Sequence, residues 1–461
     1  MQDKTVIKNG SVLLPQGLKE TDLELSGGIV SRIGTRISAD TDATVIDADG
    51  KFVIPGFIDI HTNGIAGFDL TLGVYDRERD GFISDEEEYL DGLDNALREY
   101  ALTGVTRAVL TSLASPVQDL EKVFRYVSAY RENYRARAWN GVLAGLYVEG
   151  TFMKEKGYRG AHNADYFNVP SKGLFDELQR AAGGLIKIVN VVPEWGAPAL
   201  ELIKYLTAKD IICAAGHTGA TGSRYSMAID HGTRLATHFL NGPTGSSVKP
   251  FDGGGATERV LRADQVFAEI IADGYHVDKA YVMDAIKRKG TDKVVVITDS
   301  MFPTMLEGLD KFSMLGVEGK VSSNGEYLQI ADRGNALFGS TLTMDKAFSN
   351  ILNWLTSPVE GIWNKLHEPL DFEEALLRAS DMCSGNPARI LGLFEPRVTN
   401  DNNDRSRHTG SIEAGKSADV LIADIEGTQG KRRVKIDMVF VNGQPASEQI
   451  ANERKKRRIK N

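Results

Sequence analysis

Five apolar segments of this chain each end on a histidine or a carboxylate, the side chains that bind metals and move protons in enzymes. They are GVLAGLYVEG ending near Glu149, DIICAAGHTG near His217, GTRLATHFLN near His238, VFAEIIADGYH at His276 and KVVVITDS near Asp299. When one carboxylate and two imidazoles bind a metal ion, its fourth coordination position stays free for water, as in catalytic zinc sites. A metal held in this way activates water and polarises a carbonyl, and an aspartate beside it can transfer protons. The residues therefore predict a mononuclear metallohydrolase.

The elements that must position these residues are short buried strands bounded by Gly, Asp or Asn. Three further segments of the same kind bring the total to eight: FVIPGFIDIHTNG, TGVTRAVLTS and GLIKIVNVVPE. Helical patterns such as DGLDNALREYAL, LEKVFRYVSAYRENY and KAYVMDAIKRKG lie between them. This alternation predicts an α/β fold, a (β/α)₈ TIM barrel whose active site lies at the carboxyl ends of the strands. An open doubly wound sheet is less favoured, because no glycine-rich phosphate loop follows the first strand.

The two ends of the chain have a different pattern, with short alternating strands and Gly and Asp turns. Residues 1–53 and 401–448 are predicted to form one small discontinuous β-sandwich domain beside a barrel of residues 54–400. The last segment, 449–461, is a basic run that we interpret as a solvated tail.

Composition restricts the function further. The chain has 461 residues, 42% of them hydrophobic and 25% charged, which is typical of a globular protein. The net charge of −9 argues against a nucleic-acid partner. Two cysteines, Cys213 and Cys383, exclude a disulfide scaffold and are expected to be buried thiols. No signal-peptide pattern and no membrane-length apolar segment is evident, so the expected location is the cytoplasm.

Seven motifs occur in the order found in N-acetylglucosamine-6-phosphate deacetylases of the amidohydrolase superfamily: PGFIDIHTNG, VEG, AGHTGA, ATHFLNG, IADGYHVD, ITDS and FGSTLTM. The closing segments GSIEAGKSADVLIAD and VFVNG also resemble the small domain of that superfamily. The similarity spans nearly the whole chain. It implies hydrolysis of the N-acetyl group of an amino-sugar 6-phosphate. It also implies one divalent metal, with Zn²⁺ as the expected ion, bound by Glu149, His217 and His238.

The resemblance also assigns roles to other residues of the site. Asp299 would be the general base that takes a proton from the attacking water and then the acid that protonates the leaving amine. His162, in RGAHN, would contact the acyl carbonyl of the substrate. His276 would contact the sugar and its phosphate, and Asn241 and Gly242 would bind the phosphate, partly through backbone amides.

Two positions depart from the family pattern. Many relatives carry His-x-His after the first strand, whereas this chain has His61-Thr62-Asn63, so that a second metal is doubtful and His61 is a candidate ligand. The family also supplies an arginine from the neighbouring subunit to grip the phosphate, which implies a homodimer. The corresponding position here is near Lys249, and a lysine lacks the planar bidentate grip of an arginine. A galactosamine substrate or an unphosphorylated amino sugar therefore stays open.

An acidic insertion at 71–95 contains a segment that fits an EF-hand calcium loop. Acidic residues stand at loop positions one, three and five, Gly at six and Glu at twelve, and a helical pattern follows. No helix is evident before the loop, and a solvated acidic turn is the alternative. The sequence predicts a structural Ca²⁺ site with these candidate ligands: Asp76, Glu78, Asp80, Phe82, Ser84 and Glu87.

Two other functions are compatible with this residue set. One is an amidohydrolase acting on a different acyl amide, although many such relatives bridge two metals with a carboxylated lysine after the fourth strand, where this chain has VVPEWG with Glu194. The other is a non-catalytic sugar-binding homologue, which a metal ligand set with an adjacent base does not favour, because binding alone needs neither.

Overall fold

The computed structural model describes residues 4–241, 254–334, 336–395 and 408–452. Its centre is a sheet of eight parallel strands whose order follows the chain. These barrel strands, numbered here from first to eighth, are Phe57–Thr62, Val105–Ser112, Leu143–Phe152, Ile186–Val191, Ile212–Ala214, Thr233–Ala236, Phe267–Ile271 and Val294–Ile297. The predicted (β/α)₈ barrel is confirmed.

The barrel closes where its first and eighth strands meet. The backbone N–H of Asp299 donates to the carbonyl of His61 at 2.9 Å. Just below, the hydroxyl of Thr298 donates to the carboxylate of Asp59 at 2.6 Å. This seam therefore places His61 and Asp299, which are far apart in sequence, side by side at the carboxyl end of the strands.

Helices cover the outer face of the barrel, so that its strands are buried on both sides. All eight residues of Val105–Ser112 are buried, and the strand Val294–Ile297 is apolar throughout, as is typical of parallel strands covered on both faces. The helices that follow the eight strands in turn are Glu86–Leu102, Val117–Asn133, Lys172–Ala181, Ala197–Thr207, Gly222–His231, Ala256–Arg262, Lys279–Lys289 and Met344–Leu355. Two more, Phe372–Ser380 and Asn386–Ile390, follow the last of these. No helix in the described ranges combines the length and the apolar character needed to cross a bilayer.

Strands from both ends of the chain form a second sheet beside the barrel. Phe52–Pro55 pairs antiparallel with Val420–Glu426, which joins the amino-terminal strands to the carboxyl-terminal ones. Side chains such as Leu23 and Phe440 build a separate apolar core there. The remaining strands of this sheet are Lys4–Leu14, Gly17–Ser26, Ile29–Gly34, Thr44–Asp47, Arg433–Val441 and Gln444–Pro445. The exact domain boundaries stay a prediction.

Two small accessory sheets follow the first and the eighth barrel strands and cover the carboxyl end of the barrel. The rings of Tyr75 and Phe82 from one sheet and of Phe312 from the other pack around Phe302, with ring centroids 4.7, 5.0 and 5.2 Å from it. The first sheet consists of Gly64–Ile65, Phe68–Asp69, Gly73–Asp76 and Gly81–Ile83, and the second of Lys311–Met314, Val317–Val321, Tyr327–Ile330 and Leu337–Ser340.

The acidic segment predicted to bind calcium is the turn of a β-hairpin, because Gly73–Asp76 pairs with Gly81–Ile83. The carboxylate of Asp76 accepts the backbone N–H of Glu78 at 2.9 Å, and that of Asp80 accepts the hydroxyl of Tyr75 at 2.6 Å.

The other predicted calcium ligands are also engaged elsewhere. Phe82 pairs with Tyr75 across the hairpin, the Ser84 hydroxyl accepts a bond from Lys122, and Glu87 lies in the first turn of the next helix. Within the described ranges, this segment contributes no group of three acidic side chains at metal-binding distances. In this structure the carboxylates of Asp76 and Asp80 stabilise the turn, and the calcium site stays a prediction.

Candidate active site

Glu149, His217 and His238 come together at the carboxyl ends of the third, fifth and sixth barrel strands. Glu149 Oε1 lies 3.3 Å from His217 Nε2 and 3.0 Å from His238 Nε2, and the two Nε2 atoms are 2.9 Å apart. In the part of the chain that the structure describes, this is the one such group of three buried ligand atoms. A tetrahedral metal site with bonds of 2.0–2.1 Å has edges of about 3.3 Å between its ligand atoms. The three donors therefore fit a single divalent metal ion.

Hydrogen bonds turn both imidazoles so that Nε2 faces the centre of this group. His217 Nδ1 donates to the carbonyl of Tyr158 at 2.8 Å, and His238 Nδ1 donates to the carbonyl of Asn241 at 3.0 Å. A neutral ring that donates from Nδ1 keeps its lone pair on Nε2. Burial lowers the pKa of His217 to about 4, so this ring is neutral near pH 7, which is the form that binds a metal.

The backbone at these residues is strained. His217, His238 and Asp299 have φ angles of 55°, 28° and 49°, in the left-handed region that side chains other than glycine rarely adopt. Each follows the end of a barrel strand, and strain of this kind is concentrated at functional sites. Gly160 packs so closely that a Cβ atom there would lie 2.7 Å from the ring of His217, so a side chain at this position would displace a candidate metal ligand.

Asp299 lies beside the candidate ligands and is held by its neighbours at the barrel seam. Asn63 Nδ2 donates to Asp299 Oδ1 at 2.8 Å, and His61 Nε2 lies 3.4 Å from the same oxygen. His61 Nε2 is also 3.7 Å from Glu149 Oε2. The predicted base and the candidate ligand His61 therefore both border the three metal donors.

A cavity of about 500 Å³ opens above this group and is lined by Glu149, His217, His238 and Asp299. His162 also lines it, with Nε2 3.3 Å from Glu149 Oε2. The backbone N–H of Ala114 donates to His162 Nδ1 at 3.1 Å. In the neutral ring the proton is therefore on Nε2, which can donate to a ligand in the cavity.

Two of the residues expected to bind sugar and phosphate line the same cavity. His276 and Asn241 line it. His276 Nδ1 donates to Asp273 at 2.6 Å, and its buried Nε2 has no partner among the described residues. Gly242 and Lys249, also predicted to bind the substrate, lie outside the described residues.

Comparison with known proteins identifies the family. Residues 52–446 match the model of the family described as "Amidohydrolase family". The chain belongs to this amidohydrolase family. The match covers the barrel and parts of the small sheet, and it confirms the superfamily predicted from the motifs.

Individual relatives of this amidohydrolase are deacetylases of amino-sugar phosphates. An N-acetylglucosamine-6-phosphate deacetylase of Lysinibacillus sphaericus is 27% identical over 75% of this chain and 82% of the relative. An N-acetylgalactosamine-6-phosphate deacetylase of Escherichia coli O157:H7 is 24% identical over 96% of this chain and 99% of the relative. The crystal structure of N-acetylglucosamine-6-phosphate deacetylase from Pasteurella multocida has a TM-score of 0.75 and 22% identity, covering 96% of this chain and 99% of that one. At this identity the structural match supports the fold.

Glu269, inside the seventh barrel strand, supports the site of this amidohydrolase and was missed in the sequence. Its Oε2 accepts from His61 Nδ1 and from the backbone N–H of His238, both at 2.9 Å. The side chain is fully buried and its Oε1 has no partner among the described residues. The signal that could have found it is a carboxylate in the middle of the apolar run VFAEIIADGYH, because a buried charge needs polar partners.

We predict that Glu269→Ala lowers the affinity of the amidohydrolase for a divalent metal ion by about 10–100-fold, the usual cost of removing a partner that orients a metal ligand. The substitution leaves the backbone N–H of His238 and the ring of His61 without their acceptor. Competition with a chelator measures the affinity. Glu269→Gln keeps an acceptor oxygen and is the matched control, expected to stay closer to wild type. Unchanged affinity in Glu269→Ala would contradict this role.

Two further side chains of this amidohydrolase, Asn190 and Glu194, form hydrogen bonds to the segments that carry the candidate ligands. Asn190 Nδ2 donates to the carbonyl of Glu149 at 3.1 Å, and its Oδ1 accepts the N–H of Gly216 at 2.8 Å. Glu194 Oε1 accepts the hydroxyl of Thr218 at 2.7 Å and the N–H of Gly219 at 2.6 Å. Glu194, which follows the fourth strand, therefore holds the loop that carries His217.

Proposed function

We propose that this amidohydrolase removes the N-acetyl group of an N-acetyl-amino-sugar 6-phosphate, with N-acetylglucosamine 6-phosphate as the first substrate. The products are acetate and the free amino sugar phosphate. One observation carries the proposal: three metal donors and the carboxylate of Asp299 line the same cavity of about 500 Å³. The named activities of the relatives support the choice of substrate.

We propose Zn²⁺ as the metal, held by Glu149, His217 and His238. One carboxylate oxygen and two imidazole nitrogens are a donor set that zinc prefers. When bound, the ion supplies Lewis acidity, which polarises the acyl carbonyl and lowers the pKa of water. His61 lies close enough to Glu149 and Asp299 to add a weaker contact.

Asp299 acts as the base and then as the acid in this proposal. Its carboxylate takes a proton from the attacking water and returns it to the nitrogen of the leaving amine. The hydrogen bond from Asn63 fixes Oδ1, so that Oδ2 is the oxygen available for the proton. A carboxylate positioned in this way contributes about 10²–10⁴-fold to a rate.

His162 stabilises the negative charge that develops on the acyl oxygen. Its Nε2 carries the proton because Nδ1 accepts from Ala114, and a donor aimed at a developing oxyanion is a major source of rate enhancement. In the same cavity, His276 Nε2 and the backbone of Asn241 contact the sugar and its phosphate.

Gly242 and Lys249 complete the phosphate contacts in this proposal, with Lys249 acting from the neighbouring subunit of a homodimer. The substrate is a charged phosphate ester that does not cross a bilayer unaided, which favours an enzyme of the cytoplasm.

The test is a direct assay of the zinc-loaded protein with three substrates: N-acetylglucosamine 6-phosphate, N-acetylgalactosamine 6-phosphate and unphosphorylated N-acetylglucosamine. Acetate and primary amine are measured together. We expect equal amounts of both products and a preference for the phosphorylated glucosamine compound. The E. coli relative makes the galactosamine isomer the second candidate. No release of acetate from either phosphate ester would overturn the proposed substrate class.

A further inference from the structure

Two arginines line the active-site cavity without an anionic partner. Arg159 and Arg333 both border it, and neither forms an ion pair with a carboxylate of the described residues. Arg159 Nε is buried and has no hydrogen-bond partner there, and Arg333 donates to the carbonyl of Gly160 at 2.9 Å. Both residues are partly exposed, unlike the buried Arg107, which pairs with Asp419 at 2.8 Å. In a chain with 63 acidic and 54 basic residues, two such cations in one cavity indicate an anionic ligand.

The fold brings these two arginines together from distant segments. Arg159 lies on the loop after the third barrel strand, three positions before His162, and Arg333 lies between two strands of the second accessory sheet. The Arg333–Gly160 bond joins sheet and loop, and so does a bond of 3.1 Å from Asn163 Nδ2 to the carbonyl of Leu315. Both arginines and His162 therefore line the same cavities.

A second cavity of about 370 Å³ is also lined by Arg159 and Arg333. Asp165, Glu318 and Asp332 line it, yet among the described residues none of these carboxylates lies within ion-pair distance of Arg159 or Arg333; Asp165 pairs with Lys156. Both arginines therefore line the active-site cavity and the second cavity without pairing to these carboxylates.

We propose that Arg159 and Arg333 form a subsite that binds an oxyanion of the substrate, a phosphate or a carboxylate, within the same chain that supplies the metal donors. This inference rests on the proposed function, because it specifies the acidic group of the substrate of that site. Planar guanidinium groups bind such oxyanions through paired N–H bonds.

The oxyanion comes from one of two positions on the substrate. It is either the 6-phosphate itself or a carboxylate on a longer acyl group, since His162, which we assign to the acyl carbonyl, borders both cavities. Two pairs of ligands distinguish these sources: glucosamine 6-phosphate against glucosamine, and the N-succinyl against the N-acetyl derivative of glucosamine 6-phosphate.

The experiment measures binding by calorimetry to the zinc-loaded protein, with Asp299→Asn as background for the acylated ligands. The variants are Arg159→Gln and Arg333→Gln. Arg180→Gln, an exposed arginine on an outer helix, is the matched control. If the subsite binds the 6-phosphate, each variant loses tenfold or more in affinity for glucosamine 6-phosphate and keeps its affinity for glucosamine. If it binds an acyl carboxylate, the tenfold loss is confined to the N-succinyl ligand. Unchanged affinity for both anionic ligands in both variants overturns the proposal.

Two further measurements distinguish a loss of anion binding from misfolding of a variant. Zinc content and thermal unfolding show whether a variant is folded, and Arg→Lys at each position, which keeps the charge, should recover part of the affinity. The binding assay needs no turnover. A protein that binds anions through these arginines but releases no acetate would overturn the proposed function alone, whereas an active deacetylase with unaffected binding in both variants would overturn the subsite alone.

Discussion

Asp299→Asn is expected to reduce the turnover number by about 10²–10⁴-fold, the contribution of a positioned acid/base group, while the metal stays bound. The amide has the same shape but accepts no proton near neutral pH. Its oxygen can still accept the bond from Asn63 that now reaches Oδ1 at 2.8 Å. Asp299 is also not one of the three grouped metal donors. The loss should therefore appear in kcat, with zinc content unchanged by elemental analysis.

A matched control exists for the backbone conformation of Asp299. Asp210 has a φ of 58°, close to the 49° of Asp299, but it precedes the fifth barrel strand and lies away from the cavity. Asp and Asn both tolerate this left-handed region. Asp210→Asn should therefore leave turnover unaltered. Wild-type turnover in Asp299→Asn, measured at saturating N-acetylglucosamine 6-phosphate, would contradict the role of Asp299 as the base.

The barrel could be predicted from the sequence because its strands carry a strong local signal. The strands are covered by helices outside and by the packed interior inside, so several of them contain runs of apolar residues. The run KVVVITDS contains the strand Val294–Ile297, whose four residues are all buried. A polar residue just after such a run lies at the carboxyl end of the barrel by geometry alone. This is why His217, His238 and Asp299 could be expected to meet.

The hydrogen bonds that hold these residues in position could not be predicted, because they join residues that are distant in sequence. Glu269 bonds to His61, 208 positions away. The accessory strands are equally hard to recognise, since Lys311–Met314 alternates between exposed and buried positions over only four residues. Such strands gain stability only from the packing around Phe302, which no local pattern reveals.

The predicted calcium loop is a local pattern that is compatible with two structures. Acidic residues at alternate positions followed by glycine suit an EF-hand loop, and they equally suit a tight hairpin turn. Asp80 has a φ of 44°, and Asp and Asn are favoured in such turns because their side chains bond to nearby groups. An EF-hand has a helix before its loop, whereas here the strand Gly73–Asp76 precedes the loop. This strand forms because it pairs with Gly81–Ile83.

His217→Ala is expected to lose the metal, with a fall in zinc affinity larger than the about 10–100-fold that removing a supporting hydrogen bond costs. Only Glu149 and His238 of the grouped donors would remain. The fold should persist, because His217 sits in a loop whose attachments through Thr218 and Gly219 to Glu194 do not involve the imidazole. Activity should fall to background, and zinc content after dialysis should be well below one ion per chain.

Thermal unfolding gives a second measurement of the same effect. A ligand at 100 times its dissociation constant stabilises the folded state by about 2.7 kcal/mol, so zinc should raise the Tm of the wild type and not that of His217→Ala at the same concentration. His231→Ala is the control, because His231 is an exposed histidine at the end of the helix Gly222–His231, bonded to the carbonyl of Met227 at 2.7 Å. It should keep the zinc-dependent shift.

Since the Nε2 atoms of His217 and His238 lie 2.9 Å apart on strained backbone, a shared cation is the interaction that best accounts for their arrangement. An equal zinc shift in His217→Ala would therefore remove the basis of the metal site.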